Sequence, residues 1–268
     1  MTSKIEALSD WLRPFDKVAV ALSGGLDSSV LLAFCADKLG AKNCIAFLAK
    51  TPYMPASEQI RAHAVCRKLG VACVVFESET PSSIAQNPPE RCYLCKKALF
   101  SILKGALSTH RAQVLLDGTN EDDTRDYRPG MRALKELGIR SPFLECGIGK
   151  SEIRRLYTDY FPEHASHIPA PNACLLTRLP HGMKIDAALL ERIDRAEDFL
   201  REKGFECVRV RIDHEGARIE IEPEKISVFS DPALTQNIVR RFKELGFDRL
   251  CLDLEGYRRG SMNAASYL

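Results

Sequence analysis

Short apolar runs alternate along the first half of the chain with longer stretches in which apolar residues recur every three or four positions. Val18–Leu22, Asn43–Leu48, Val71–Phe76 and Gln113–Leu116 are strand-sized. Ser28–Leu39, Ala56–Leu69 and Cys92–Leu107 carry the helical period, the second of them stopped by Gly70. Runs with so little polar alternation belong to strands buried on both faces, and parallel neighbours need crossovers that the helices supply. The first part is therefore predicted as α/β, a doubly wound parallel sheet whose ligand sits beyond the carboxyl ends of its strands.

Between Phe161 and Gly182 the pattern breaks at Pro162, Pro169, Pro171 and Pro180. A domain boundary is placed at the end of that stretch, giving domains 1–183 and 184–268. Beyond it, Asp186–Lys203 and Pro232–Leu245 have helical period. Cys207–Ile212 and Arg218–Glu222 alternate as strands around Asp213-His214-Glu215-Gly216, and Leu250–Leu254 reads as a third. The expectation is a smaller C-terminal α+β domain.

Composition narrows the function classes. Of 268 residues 45% are apolar and 28% charged, with a formal net charge of +2, so neither nucleic acid nor an anionic membrane is called for as partner. No apolar run approaches the ~20 residues of a membrane span. Met1–Lys17 is amphipathic and carries acids, unlike a secretion signal, and the expected location is cytoplasmic. In that reducing setting ten cysteines are not a disulfide framework. Cys35, Cys44, Cys66, Cys73, Cys207 and Cys251 lie among apolar neighbours and read as small packed hydrophobes. Cys146 reads as the end of a strand.

Ser23-Gly24-Gly25-Leu26-Asp27-Ser28-Ser29 joins the first strand to the first crossover helix. Glycines there let backbone approach a ligand, and the first amides of the helix favour an anion, naturally a phosphate. The loop is not a Walker A sequence. Gly147-Ile148-Gly149-Lys150-Ser151 imitates the end of one, but Leu144 occupies the first glycine position, and the stretch reads as a turn and helix start. Further on, Pro88-Pro89 precedes Cys92-Tyr93-Leu94-Cys95, two thiols on one helical face with Arg91, Lys96 and Lys97 to favour the thiolate. The pair is also a zinc pattern, incomplete by itself. Cys174 stands in a proline-bounded loop where a thiol is presented instead of packed.

The glycine loop resembles the PP-loop of the ATP pyrophosphatase superfamily, the adenine nucleotide α-hydrolase-like fold. Together with Arg91–Lys96, Asp117–Asp123, Asp126–Gly130, Ala173–Arg178 and Asp253–Arg258 it resembles the LarE family. These are ATP-dependent sulfur transferases that build the nickel-pincer nucleotide cofactor of lactate racemase. The resemblance implies that Ser23, Gly24, Gly25, Asp27 and Ser28 cradle the pyrophosphate of ATP with Mg²⁺ alongside. It implies as substrate a small molecule, pyridinium-3,5-biscarboxylate mononucleotide, whose carboxylates are adenylated and become thiocarboxylates. Cys174 matches the sulfur-handling cysteine. Some members surrender that sulfur and are left with dehydroalanine; others hold a [4Fe-4S] cluster on three cysteines and deliver a sulfide bound to the fourth iron. The presence of Cys92, Cys95 and Cys174 together favours the cluster route. A homo-oligomer is implied as well.

Two departures stand out: Thr177 where serine is usual, and His181 where tyrosine is common. Thr177 and Arg178 are candidates to polarise the acyl-adenylate, or else they fix the loop. Asp117, Asn120 and Asp123 are candidate adenylate contacts or turn braces. Arg128 is a candidate for a substrate anion. Arg209 and Arg211 share a strand face and are an anion site, or, with Glu220 and Glu222 on the pairing strand, plain ion pairs. Three rivals remain: a tRNA thiolase, disfavoured by near-neutral charge; an ammonia-using synthetase, which leaves the cysteine loops unexplained; and a non-catalytic carrier of a nucleotide or an iron–sulfur cluster.

Overall fold

The computed structural model describes residues 3–125, 129–164, 173–214 and 216–258. They fall into two compact units. The first takes residues up to Ile84 and from Pro89 to 164; the second takes Ala85–Pro88 and the residues from Ala173 onward.

The first unit runs α1 (Lys4–Leu12), β1 (Val18–Ala21), α2 (Leu26–Leu39), β2 (Cys44–Lys50), α3 (Ala56–Leu69), β3 (Ala72–Glu77), α4 (Arg91–Gly105), β4 (Val114–Leu116), α5 (Gly130–Leu137), α6 (Pro142–Glu145) and α7 (Lys150–Tyr160). Its sheet has the order β3-β2-β1-β4, all parallel. Successive β1 side chains face opposite ways, and the core divides accordingly. Val18 and Val20 join Leu31 and Phe34 of α2 and Ile153 of α7, while Ala19 joins Leu103 of α4 and Leu134 of α5. Helices thus cover both faces, which is why the strands read as unbroken apolar runs. The strand order reverses between β1 and β4, the place where a doubly wound sheet opens a crevice for ligand.

Cys146 corrects one expectation. Proline at the first position of α6 and a left-handed Gly147 (φ 63°) confine the stretch to a single helical turn, which Cys146 closes, so no strand ends there.

In the second unit α8 (Ala187–Glu202), β5 (Arg209–Asp213), β6 (Gly216–Glu220), α9 (Pro232–Glu244) and β7 (Leu250–Leu252) follow in order. Asp186 and Asp231 cap α8 and α9 by accepting from backbone amides. The sheet order is β5-β6-β7, with β5 and β6 antiparallel and β6 and β7 parallel. The second strand lies two residues earlier than its alternation suggests. Glu222 has left the ladder because its carboxylate accepts from the amides of Glu206 (2.8 Å) and Cys207 (2.9 Å). Ala85–Pro88 is tied to this unit by Asn87, whose Nδ2 donates to the carbonyls of Leu179 (3.1 Å) and Pro180 (2.9 Å). Asn87 is fully buried at φ 46°, a left-handed backbone that asparagine tolerates. No described helix is long and apolar enough to cross a membrane.

Candidate active site

The loop after β1 is shaped by what presses on it. Gly24 has φ 74°, and a Cβ there would lie 2.0 Å from the carbonyl oxygen of Glu58; Arg61 Nε donates to the Gly24 carbonyl at 3.1 Å. Only glycine fits so close to the start of α3. Ser28 Oγ accepts from Ser23 N (3.2 Å) and lies 3.1 Å from Ser23 Oγ, while Ser29 Oγ donates to the Gly25 carbonyl at 2.7 Å. Gly25 caps α2 without a side-chain hydrogen bond to its first amides. That leaves an anion-favouring turn.

The loop after β4 stands against it. A Cβ on Gly118 would lie 2.9 Å from Ser28 N and 3.0 Å from the carbonyl carbon of Asp27. Asp117, buried, accepts from Thr119 Oγ1 (2.5 Å) and Ser141 Oγ, with Lys96 Nζ 3.9 Å away. Asn120 and Asp123 are buried and bonded to one another, N and Nδ2 of Asn120 donating to Asp123 Oδ2 at 3.3 and 3.1 Å, and so brace the turn.

Lys150 joins the two loops. Its amide donates to Asp122 Oδ2 at 2.7 Å and its ammonium is ion-paired with Asp27 Oδ2. Gly149 makes room for this, since a Cβ there would lie 2.7 Å from Asp122 Oδ2. Sequence reasoning set this stretch aside as a turn and helix start, which it is. The signal it passed over is a lysine at the first position of a helix beside the sheet's carboxyl edge.

The thiol pair opens α4 as its spacing suggests. Cys92 is exposed and Cys95 half-buried, with Tyr53 Oη 3.1 Å from Cys95 Sγ. Burial pushes the Cys95 thiol up, against the pull of the Tyr53 hydroxyl. Tyr93 between them donates to Glu136 Oε2 at 2.8 Å under the Arg132 guanidinium, 3.8 Å from the ring centroid, which anchors the first turn of α4 to α5. Lys96 lies so close to α5 that a Cβ on Gly130 would be 2.8 Å from its Cδ. Among the described residues no group of three His, Cys, Asp or Glu is arranged to hold a metal ion. Cys92 and Cys95 belong to the first unit and Cys174 to the second.

In the second unit the half-buried Cys174 precedes a short 3₁₀ turn, Leu175–Arg178. Thr177 Oγ1 donates to the Cys174 carbonyl at 3.0 Å. Arg178 is fully buried and turned into its own loop, NH1 donating to the Ala173 carbonyl and to Thr177 Oγ1, both at 2.8 Å. Nε and NH2 meet Glu197, each at 2.8 Å. Arg211 is buried too, Nε 2.5 Å from Glu220 Oε1 and NH1 donating to the Thr177 carbonyl at 2.6 Å, the cross-strand pairing anticipated as an alternative. Arg209, buried, donates NH1 to Val208 O at 2.7 Å and lies 4.8 Å from the Tyr257 ring centroid; burial, then the nearby Arg178, pulls its pKa down. Arg128 lies outside the described residues. Glu197 was missed, although an acid in line with Leu190, Ile193 and Leu200 on α8 is a legible anomaly.

Residues 6–124 match the NAD synthase family model. Over 265 residues, 98% of this chain and 95% of the relative, the sequence is 30% identical to pyridinium-3,5-bisthiocarboxylic acid mononucleotide synthase of Lactiplantibacillus plantarum. The chain belongs to the LarE family. Two further relatives are uncharacterised proteins: one from Synechocystis, 35% identical with 98% of each chain covered, and one from Methanocaldococcus jannaschii, 36% identical with 90% and 91% covered. LarE and NAD synthase share the PP-loop, and the PP-loop family implies ATP binding.

Proposed function

We propose that this LarE-family chain adenylates the carboxylates of pyridinium-3,5-biscarboxylate mononucleotide with ATP and replaces the activated oxygen with sulfur. The observation that carries the reading is the meeting of four features at one edge of the sheet. These are the PP-loop, the Asp117–Asp123 turn against it, Lys150 on Asp27, and α4 with its thiol pair reaching Asp117 through Lys96. The named relative, matched along nearly its whole length, supports the substrate class.

In this reading the amides of the Gly24–Ser28 turn and the Lys150 ammonium receive the phosphates, and Asp27 faces Mg²⁺. A substrate carboxylate attacks the α-phosphorus, pyrophosphate leaves, and an acyl-adenylate forms. A sulfur nucleophile then attacks the carbonyl carbon and AMP departs with the former carboxylate oxygen. Arg209 serves the substrate's anionic groups, while Arg211 is held by Glu220 and the Thr177 carbonyl.

Cys174 handles the sulfur. In the cluster route Cys92, Cys95 and Cys174 would be the three thiolate donors of a [4Fe-4S] cluster. When bound, that cluster supplies an open iron for sulfide. In the sacrificial route the sulfur is instead the cysteine's own.

The test supplies ATP with the biscarboxylate nucleotide and sulfide, without oxygen, and follows AMP, pyrophosphate and thiocarboxylate. Product with unchanged protein mass supports the cluster route, and product with a protein lighter by one H₂S supports sacrifice at Cys174. AMP and pyrophosphate with an amide product from ammonia would move the chain to the chemistry its NAD synthase match names.

A further inference from the structure

Glu197 is a carboxylate with no exposure to water on the apolar stripe of α8. Oε1 accepts from Arg178 Nε at 2.8 Å and from the Val210 amide at 2.9 Å; Oε2 accepts from NH2 of Arg178 and of Arg201, each at 2.8 Å. Burial, the largest single influence, would raise this carboxyl, but Arg178 with Arg209 and Arg201 together hold it below the usual range. Two parallel N–H···O bonds fix the plane of a guanidinium, not merely its position. With the plane set, NH1 of Arg178 is left aimed at the Ala173 carbonyl (2.8 Å), the Thr177 hydroxyl (2.8 Å) and the Cys174 carbonyl (3.3 Å). The groups it gathers flank one residue, Cys174. Val210 on β5 is held by the same carboxylate, so the loop is referred to both a helix and a strand.

We propose that Glu197 is the positioning residue for Cys174: by orienting Arg178 it fixes the backbone on both sides of that cysteine and so sets the direction of its sulfur. Glu197 itself touches no substrate. The catalytic meaning of this rests on the reading in which Cys174 handles sulfur, whereas the loop geometry does not.

Glu197→Ala strands a buried guanidinium and endangers the fold. The test therefore uses Glu197→Gln, which keeps shape and one acceptor, and Arg178→Lys, which keeps the charge and loses the fork. Peptide mass spectrometry follows iodoacetamide alkylation of Cys174 against that of Cys207 and Cys251 in the same intact molecules. Turnover is followed as thiocarboxylate formed per pyrophosphate released. The expected result in both variants is an alkylation rate at Cys174 changed about tenfold relative to the other two thiols, with thiocarboxylate per pyrophosphate down about tenfold or more. An unchanged ratio at Cys174 overturns the proposal; so does a parallel rise at all three thiols, which is general loosening. Cys174→Ala enzyme that still makes thiocarboxylate ends the sulfur reading instead, leaving the alkylation ratio to judge Glu197 alone.

Discussion

Replacing Gly118 with alanine places a methyl carbon 2.9 Å from Ser28 N, 3.0 Å from the Asp27 carbonyl carbon and 3.1 Å from Asp27 Cβ. Two of these neighbours are backbone at the start of α2, so they cannot swing aside as a long side chain would. The turn after β4 and the PP-loop must part by a few tenths of an ångström. Overpacking of this kind costs about 1–3 kcal/mol. Because the gap opens where the nucleotide's phosphates are expected, the same energy appears as a rise in Kd for ATP of about 5- to 150-fold. Titration calorimetry with a non-hydrolysable ATP analogue reads the affinity, and thermal unfolding reads the stability. Gly105→Ala is the matched control. It closes α4 with nothing within 4 Å of an added Cβ, so the same methyl raises stability by about 0.5 kcal/mol and leaves affinity alone. Gly118→Ala protein that binds the analogue within about twofold of the parent, with no loss of melting temperature, would falsify the packing argument and with it the placement of the phosphate site between these two turns.

Other expectations are simpler to state. Lys150→Met breaks the ion pair with Asp27 and, with nucleotide bound, removes a charge-assisted hydrogen bond to phosphate worth about 1.5–3 kcal/mol, so ATP affinity falls by about tenfold or more; affinity equal to the parent's refutes a phosphate role. Cys174→Ser is expected to release pyrophosphate when the nucleotide acid is supplied yet to form no thiocarboxylate, checked by mass spectrometry of the small molecules. Burial pushes the Cys44 thiol from its ordinary 9.0 to about 11. The unfolded chain ionises that thiol first, so stability is full below pH 9 and declines by about 2–3 kcal/mol as pH rises towards 11. Denaturant titrations of the parent and Cys44→Ala across that window should converge at the alkaline end. Cys35, raised by burial as well, lowers both curves together, and parallel curves would sink the attribution.

What could be read from the chain alone follows from how burial writes itself into sequence. Val18–Val20 is covered by helices on both faces, which leaves no polar alternation, and a parallel sheet was legible at once. The glycine turn was legible because Gly24 answers to close backbone approach, a demand few other residues meet, whereas the same demand at Gly118 went unread. Cys92 and Cys95 at the head of α4 were legible from prolines and spacing. Lys150 was not, because its meaning depends on Asp27, 123 positions away. Arg178 left two roles open, since an arginine beside a reactive cysteine has the same spelling as a reagent or as the buried partner of a distant acid. Glu222 read as part of a ladder because alternation ignores amides that arrive from elsewhere, here those of Glu206 and Cys207.

The four residues Ala85–Pro88 bear on how the molecule is born. They leave the ribosome well before Leu179 and Pro180, the carbonyls that Asn87 will eventually serve, and before Ile185, whose amide donates to Ala85. The nascent chain therefore carries a short splice of the later unit inside the earlier one and must keep it waiting while α4 to α7 are made. A gene cut at the proline-rich stretch would separate that splice from its acceptors, so the later piece, synthesised alone, would lack part of its own hydrogen bonding.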